Sequence, residues 1–371
     1  MRQSLLKRAS HVSDVLVEIN HGVRWQRTSG VPCASGATIP NVPAQTNAAT
    51  DGDDILQRQQ VLARLSLAQL GARTMVEQLD RVLRHEPGTR AGADAEELHK
   101  MRVATRRLRV AFRVFGNELA AESVTDLRED AVKAVGRALG EVRDLDVFAE
   151  WLAGQATGAE GDAPALSRLR EQRLRLREDA RGQMVEALDG AAMDALRGDI
   201  RERLRAVGEP GFQVPGDGVK KRDRVSRAGK RLADRALRKL RRKGNALMAP
   251  TSEELHEVRI SAKRFRYVCE FLKPAFGSVF DEAIEKATAI QDTLGDLHDA
   301  DVAAAVLLQD IQRVVGERSG RQDAAPIARL VAAQHDRREA ALRLFREQWQ
   351  ALPGKHWLKQ KKAEAAHDDG G

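Results

Sequence analysis

Leu98-His99-Lys100-Met101-Arg102-Val103-Ala104-Thr105-Arg106-Arg107-Leu108-Arg109 returns later in the chain as Leu255-His256-Glu257-Val258-Arg259-Ile260-Ser261-Ala262-Lys263-Arg264-Phe265-Arg266. A second stretch, Leu139-Gly140-Glu141-Val142-Arg143-Asp144-Leu145-Asp146-Val147, returns in the same order and at nearly the same offset as Leu294-Gly295-Asp296-Leu297-His298-Asp299-Ala300-Asp301-Val302. Two blocks repeated in one order mark an internal duplication. Aromatics make up 4% of the chain and strand signals are nearly absent. Apolar residues recur with a 3.6-residue period from about Asp54 to about Trp349, so the fold class is all-α.

On a helical wheel the first block separates its cations from its apolar residues. His99, Arg102, Arg106, Arg109 and Arg113 fall within one arc of about 80°, and His256, Arg259, Lys263 and Arg266 occupy the same arc in the second copy. Apolar residues flank this arc on both sides: Leu98, Met101, Leu108 and Phe112 on one, Val103, Val110 and Val114 on the other. Leu255, Val258 and Phe265 against Ile260, Tyr267 and Phe271 repeat the arrangement. A helix packed on both flanks with a cationic seam between them lines a groove or channel rather than a freely solvated face. From His99 to Arg109 the seam spans about 15 Å at the helical rise, which suits an extended polyanion better than a single phosphate. Guanidinium forks bind phosphate oxygens bidentately and stay charged at physiological pH, and histidine adds a switchable donor. The competing reading is that these arginines pair with carboxylates of neighbouring helices.

Composition is consistent with this. The 371 residues are 42% hydrophobic, enough for one large or two ordinary cores, and Lys+Arg 62 against Asp+Glu 54 gives a formal charge of +8. That balance favours an anionic partner. Two cysteines, Cys33 and Cys269, imply no disulfide framework. The basic start, Met1-Arg2-Gln3-Ser4-Leu5-Leu6-Lys7-Arg8, is followed by no apolar run, so a cytoplasmic location without membrane insertion is expected. Residues 1–53 read as a flexible tail, 54–207 as a first helical repeat, 208–218 as a Gly/Pro-rich linker, 219–352 as a second repeat and 353–371 as a C-terminal tail.

The two blocks resemble those of the CHAD family, the conserved histidine α-helical domain, over about residues 54–350. The resemblance implies two similar antiparallel four-helix bundles around a central basic channel. It also implies non-catalytic binding of inorganic polyphosphate, and targeting to polyphosphate granules. The family's motif falls on His99, Arg102, Arg106, Arg107 and Arg109, and on His256, Arg259, Lys263, Arg264 and Arg266. Arg107 and Arg264 lie about 80° outside the stripe, where they either reach phosphate from a second side or bridge helices. The triphosphate-tunnel (CYTH) domain that often precedes the helices in this family has no counterpart here, so no cofactor and no enzymatic activity are expected.

Between Lys220 and Lys243, thirteen basic residues stand against two aspartates. Arg224, Arg227, Arg231, Arg235, Arg238 and Arg242 share one arc and form an additional basic track, or else a solvated helix face. In the second block, Asp296, His298, Asp299 and Asp301 have ligand chemistry, but Arg143 stands where His298 does in the other copy, and a guanidinium ligates no metal. Asp144 and Asp299 are instead expected to hold motif arginines in place, and Gly140 and Gly295 to allow close approach or a bend. Arginines at i+3 and cations at i+7 would repel a metal at His99 or His256. Nucleic acid bound through phosphates alone is the alternative ligand, although neither seam carries an aromatic for base stacking. A scaffold docking acidic proteins is a third reading.

Overall fold

The computed structural model describes residues 48–120, 129–157, 161–208, 219–247, 250–317, 320–354 and 357–358. The N-terminal tail up to residue 47, nearly all of the linker and the C-terminal end from residue 359 lie outside the described residues.

The fold is all-α. Eleven α-helices run in order among the described residues: α1 (Ala48–Arg64), α2 (Leu67–Ala91), α3 (Ala95–Ala120), α4 (Glu129–Ala156), α5 (Ala163–Asp189), α6 (Ala191–Arg197), α7 (Asp199–Gly208), α8 (Val225–Asn245), α9 (Ser252–Phe276), α10 (Asp281–Gly316) and α11 (Ala324–Gln350). Local chemistry sets several starts. Ser66 caps α2 and Thr251 caps α9, each in a reciprocal capping box with Gln69 or Glu254 three residues on. Each box satisfies two amide donors that a helix start leaves without partners.

Packing follows one order in both halves. α2 packs on α3, α3 on α4 and α4 on α5, as α8 packs on α9, α9 on α10 and α10 on α11. α6 and α7 add to the first half by packing on α4 and α2. α1 lies against α8 and α9, so the helix that the sequence grouped with the first repeat covers the second. Glycines set how closely the first two helices of each half approach. A Cβ on Gly71 would sit 2.5 Å from Phe115 Cβ, and one on Gly229 would sit 2.8 Å from Leu272, the residue equivalent to Phe115. The C-terminal boundary also shifts. Trp357 and Leu358 are buried, Trp357 edge-on to Phe265, because two large apolar side chains suffice to dock a segment that has no periodic face.

Between the halves, α3 packs against α9 and α2 against α8. The N-cap residues Ser66 and Arg224 form an antiparallel bridge, with Val225 N donating to Leu65 O at 2.8 Å. At the far end two reciprocal ion pairs link α5 and α11. Arg168 Nε donates to Asp323 Oδ2, and Arg329 Nε to Asp162 Oδ2, both at 2.9 Å.

Apolar burial is split in two. A large cluster runs through both halves, and a smaller one joins α4, α5, α10 and α11 around Phe148, Trp151, Leu166, Leu307 and Ile327. Along α4 the buried members of the first cluster end at Val142 and those of the second begin at Phe148; along α10 the change falls between Leu297 and Ala303. The segment between is the repeated Arg/His-Asp-x-Asp-Val block. The core is therefore interrupted where the sequence repeats its charges.

Candidate functional site

The cationic rows of α3 and α9 act directly on each other. Lys263 of α9 shows it most directly. Burial comes first among the effects that hold its amine well below the ordinary lysine pKa, followed by the charges of Arg106, Arg259, Arg102 and Arg266. Two of those arginines belong to α3 and two to α9. No ion pair to Lys263 forms among the described residues.

The neighbouring arginines are positioned by different means. Arg102 Nη2 donates to Asp144 Oδ1 at 3.0 Å, and Asp299 of the other half also acts on Arg102. Its guanidinium crosses Gly140, where an added Cβ would lie 3.9 Å from Arg102 Nε; a Cβ on Gly295 would lie 3.7 Å from Arg259 Nε. The repeated glycines thus leave room for flat guanidiniums against α4 and α10, and a side chain longer than alanine's would displace them. Arg106 reaches across to Tyr267, whose pKa is lowered. Burial raises that pKa, but Arg106, Arg266 and Arg107 together outweigh it. Arg266 stacks on the Tyr267 ring at 4.6 Å and Arg107 at 5.4 Å.

Several stripe residues carry their own counter-ions. Glu270 accepts from Arg107 Nη1 at 2.7 Å and lies 3.2 Å from Arg266 Nη1. Glu129 accepts from Arg113 Nε at 2.7 Å and from Arg109 Nε at 3.5 Å. The ion-pair alternative is thus realised at Arg102, Arg107, Arg109 and Arg113, while Arg266 pairs within its own helix. Of the two readings of Arg107 and Arg264, bridging holds for both, since Arg107 binds Glu270 of α9 and Arg264 Nη2 donates to Arg113 O of α3 at 3.1 Å.

The histidines stand at one end of the seam. His256 and His298 have ring centroids 4.7 Å apart. Burial lowers the His99 pKa, and Arg143, Arg106 and Arg102 add to that against the opposing charge of Glu96. Burial, then Arg259 and His256, depress His298 from 6.5 to about 3. Arg143 and His298 hold equivalent positions in the second block, so each half adds to its stripe one nitrogen-bearing side chain from the following helix. The wheel of α3 or α9 alone could not place these two. Their signal was the exchange of Arg for His at one position of the repeat. The acid side of the stability profile should report this burial. As pH falls from 6.5 towards 3, unfolded His298 binds a proton that the folded chain excludes, so stability falls through that window. His298→Gln is expected to flatten this limb in denaturant titrations at stepped pH. An unchanged limb would place His298 in solvent.

The other carboxylates of the second block are structural. Asp146 accepts from Arg177 Nε at 2.8 Å, and the equivalent Asp301 from Arg338 Nε at 2.9 Å. Asp296 accepts from Arg337 Nη2 at 3.0 Å. Arg227, Arg231, Arg235, Arg238 and Arg242 are exposed along α8, while Arg224 is half-buried at its start with Nε bonded to Val219 O. That row is largely solvent-exposed.

A family model described as CHAD domain matches residues 73–308. The chain belongs to the CHAD family. Its fold is similar to the crystal structure of the CHAD domain from the plant Ricinus communis, with a TM-score of 0.61 and 22% identity over 78% of this chain and 94% of that one. It is also similar to PptA from Streptomyces chartreusis, with a TM-score of 0.57 and 18% identity over 77% of this chain and 99% of that one. No curated protein matches the chain. The CHAD match spans both histidine helices and both copies of the second block. Among the described residues no helix is long and apolar enough to cross a membrane.

Proposed function

We propose that α2–α5 and α8–α11 are two copies of one four-helix unit enclosing a cationic channel, and that this channel binds inorganic polyphosphate without chemical turnover. Lys263 carries the reading. A half-buried ammonium on which the charges of four guanidiniums act is unfavourable in the free protein, and a threaded polyanion supplies negative charge. Membership in the CHAD family supports the same ligand. Tyr267, the aromatic nearest the seam, is 1% exposed and lies between two arginines, so it has no face for a base. That favours a bare phosphate chain over a single-stranded nucleic acid. The cations offer charge and hydrogen bonds, which hold phosphate rather than cleave it. A cytoplasmic protein with such a channel would be retained at polyphosphate granules.

The test is a competition titration of labelled long-chain polyphosphate against single-stranded RNA and duplex DNA, at matched phosphate concentration and two salt levels. Polyphosphate is expected to win by about tenfold or more and to persist at the higher salt, because enclosed charges are screened less than surface ones. Equal competition by RNA would replace the channel reading with a general nucleic-acid surface.

A further inference from the structure

Beside the seam, a cleft of about 370 Å³ opens where α3, α8 and α9 meet. Its rim carries four cations, Arg113 of α3, Arg235 and Lys239 of α8 and Arg264 of α9, against one carboxylate, Glu118. Arg235 and Lys239 are exposed, and neither they nor Arg264 forms an ion pair among the described residues. Arg113 uses Nε on Glu129, which leaves its two terminal nitrogens for another acceptor.

The repeat supplies an internal control. Aligning Ser66 with Arg224 and His99 with His256 sets the cleft against the matching place in the other half. There Glu270 stands for Arg113, Glu77 for Arg235, Arg81 for Lys239 and Arg107 for Arg264. Those cations are neutralised by neighbours, Arg81 by Glu77 at 2.6 Å and Arg107 by Glu270 at 2.7 Å. Phe271 also fills that place and lies 5.7 Å under Arg107, whereas its equivalent at the cleft is the smaller Val114. One copy is thus filled and charge-balanced. The other is open and cationic.

The lining narrows the ligand class. Val114, Leu232 and Val268 are buried side chains that form an aliphatic floor, and Asn117 and Glu118 stand beside it as hydrogen-bonding groups. An inorganic phosphate chain has no apolar face to lay on that floor and no donor for Glu118, whose charge repels it. An ester with two or three phosphates and a flat body bearing N–H or O–H groups satisfies floor, carboxylate and cations together. The volume lies in the range of roughly 300–1,000 Å³ usual for small-molecule sites. We infer that this cleft is a second anion site, which shares Arg113 with the end of the stripe but does not include Lys263, and that it takes a nucleoside di- or triphosphate. This goes beyond the polyphosphate reading and stands whether or not the seam binds polyphosphate.

Calorimetric titration of the full chain with ATP, and with inorganic tripolyphosphate as the body-less comparator, tests the assignment. ATP is expected to bind more tightly than tripolyphosphate. R235E/K239E changes two exposed side chains, so its melting curve should match the parent, while ATP affinity falls by about tenfold or more. Lys263→Glu, in the seam, should leave ATP affinity within about threefold, since it lies outside the cleft lining. The inference is overturned if ATP shows no binding at millimolar concentration, if tripolyphosphate binds equally well, or if Lys263→Glu rather than R235E/K239E removes ATP. Long-chain polyphosphate titrated into the unmutated chain is a separate readout, so failure of the seam reading is recognised independently.

Discussion

Lys263→Glu is expected to weaken long-chain polyphosphate binding by roughly tenfold to a hundredfold, and at the same time to raise the unfolding temperature by a few degrees. The two effects have one cause. In the free protein the Lys263 amine is surrounded by Arg106, Arg259, Arg102 and Arg266, an arrangement that opposes folding through like-charge repulsion and desolvation. A carboxylate at that position pairs with the same guanidiniums and stabilises the fold, but it occupies the place of a phosphate and repels the next one. Lys263→Met should show the smaller version of both changes, with repulsion relieved and one donor lost. Reversing Arg102 as well would confuse the result, because Arg102 holds Asp144 at 3.0 Å and a glutamate there would set two carboxylates together. Polyphosphate titration and thermal melts of Lys263→Glu and Lys263→Met decide the matter. A destabilised variant with unchanged affinity would mean that Lys263 serves packing alone.

Polyphosphate binding should take up protons, and its affinity should fall as pH rises. Lys263 and His298 are depressed first by burial and then by neighbouring cations. His99 is lowered by burial, with Arg143, Arg106 and Arg102 acting against Glu96. A bound polyanion favours the charged form of each group and so raises its pKa. Between the free-state and bound-state pKa of a group, binding carries a proton with it, and affinity drops by up to about tenfold per pH unit for each proton coupled. For Lys263 that window opens at its depressed free value and extends towards the ordinary 10.5. Calorimetry at about pH 8 in two buffers of different ionisation heat measures the uptake directly. Lys263→Arg separates charge from titration, because arginine keeps its proton throughout. That variant is expected to bind as tightly with less uptake. Identical heats in the two buffers for the parent chain would show that the seam is already fully protonated when free.

Much of this is legible in the sequence. Helical period alone puts His99, Arg102 and Arg106 on one face and His256, Arg259 and Lys263 on another, because the rotation per residue is constant along a helix. Duplication of both blocks pointed to one element built twice. The apolar flanks pointed to an enclosed stripe, and the structure buries one of them at Leu98, Met101, Leu108 and Phe112, whereas Ile260 on the other is 41% exposed. All-α class and CHAD membership follow from those local regularities.

The remaining assignments depend on what stands opposite each face, and no periodicity encodes that. Arg107 and Arg109 are near neighbours in one motif, yet one finds Glu270 across the halves and the other Glu129 at the start of α4. Only the crossing of α3 with α9 decides that Arg107 bridges helices, and only the meeting of the two rows sets Lys263, which forms no ion pair among the described residues, beside arginines of both. Arg143 and His298 join the seam through the packing of α4 and α10. α1 crosses to the second half, and Trp357 and Leu358 return to the core after a break in helical pattern. Sequence therefore determined which residues share a helix face, because that is local geometry. Tertiary structure decided which charges are neutralised and which are left for a ligand, because that depends on distances between segments far apart in the chain.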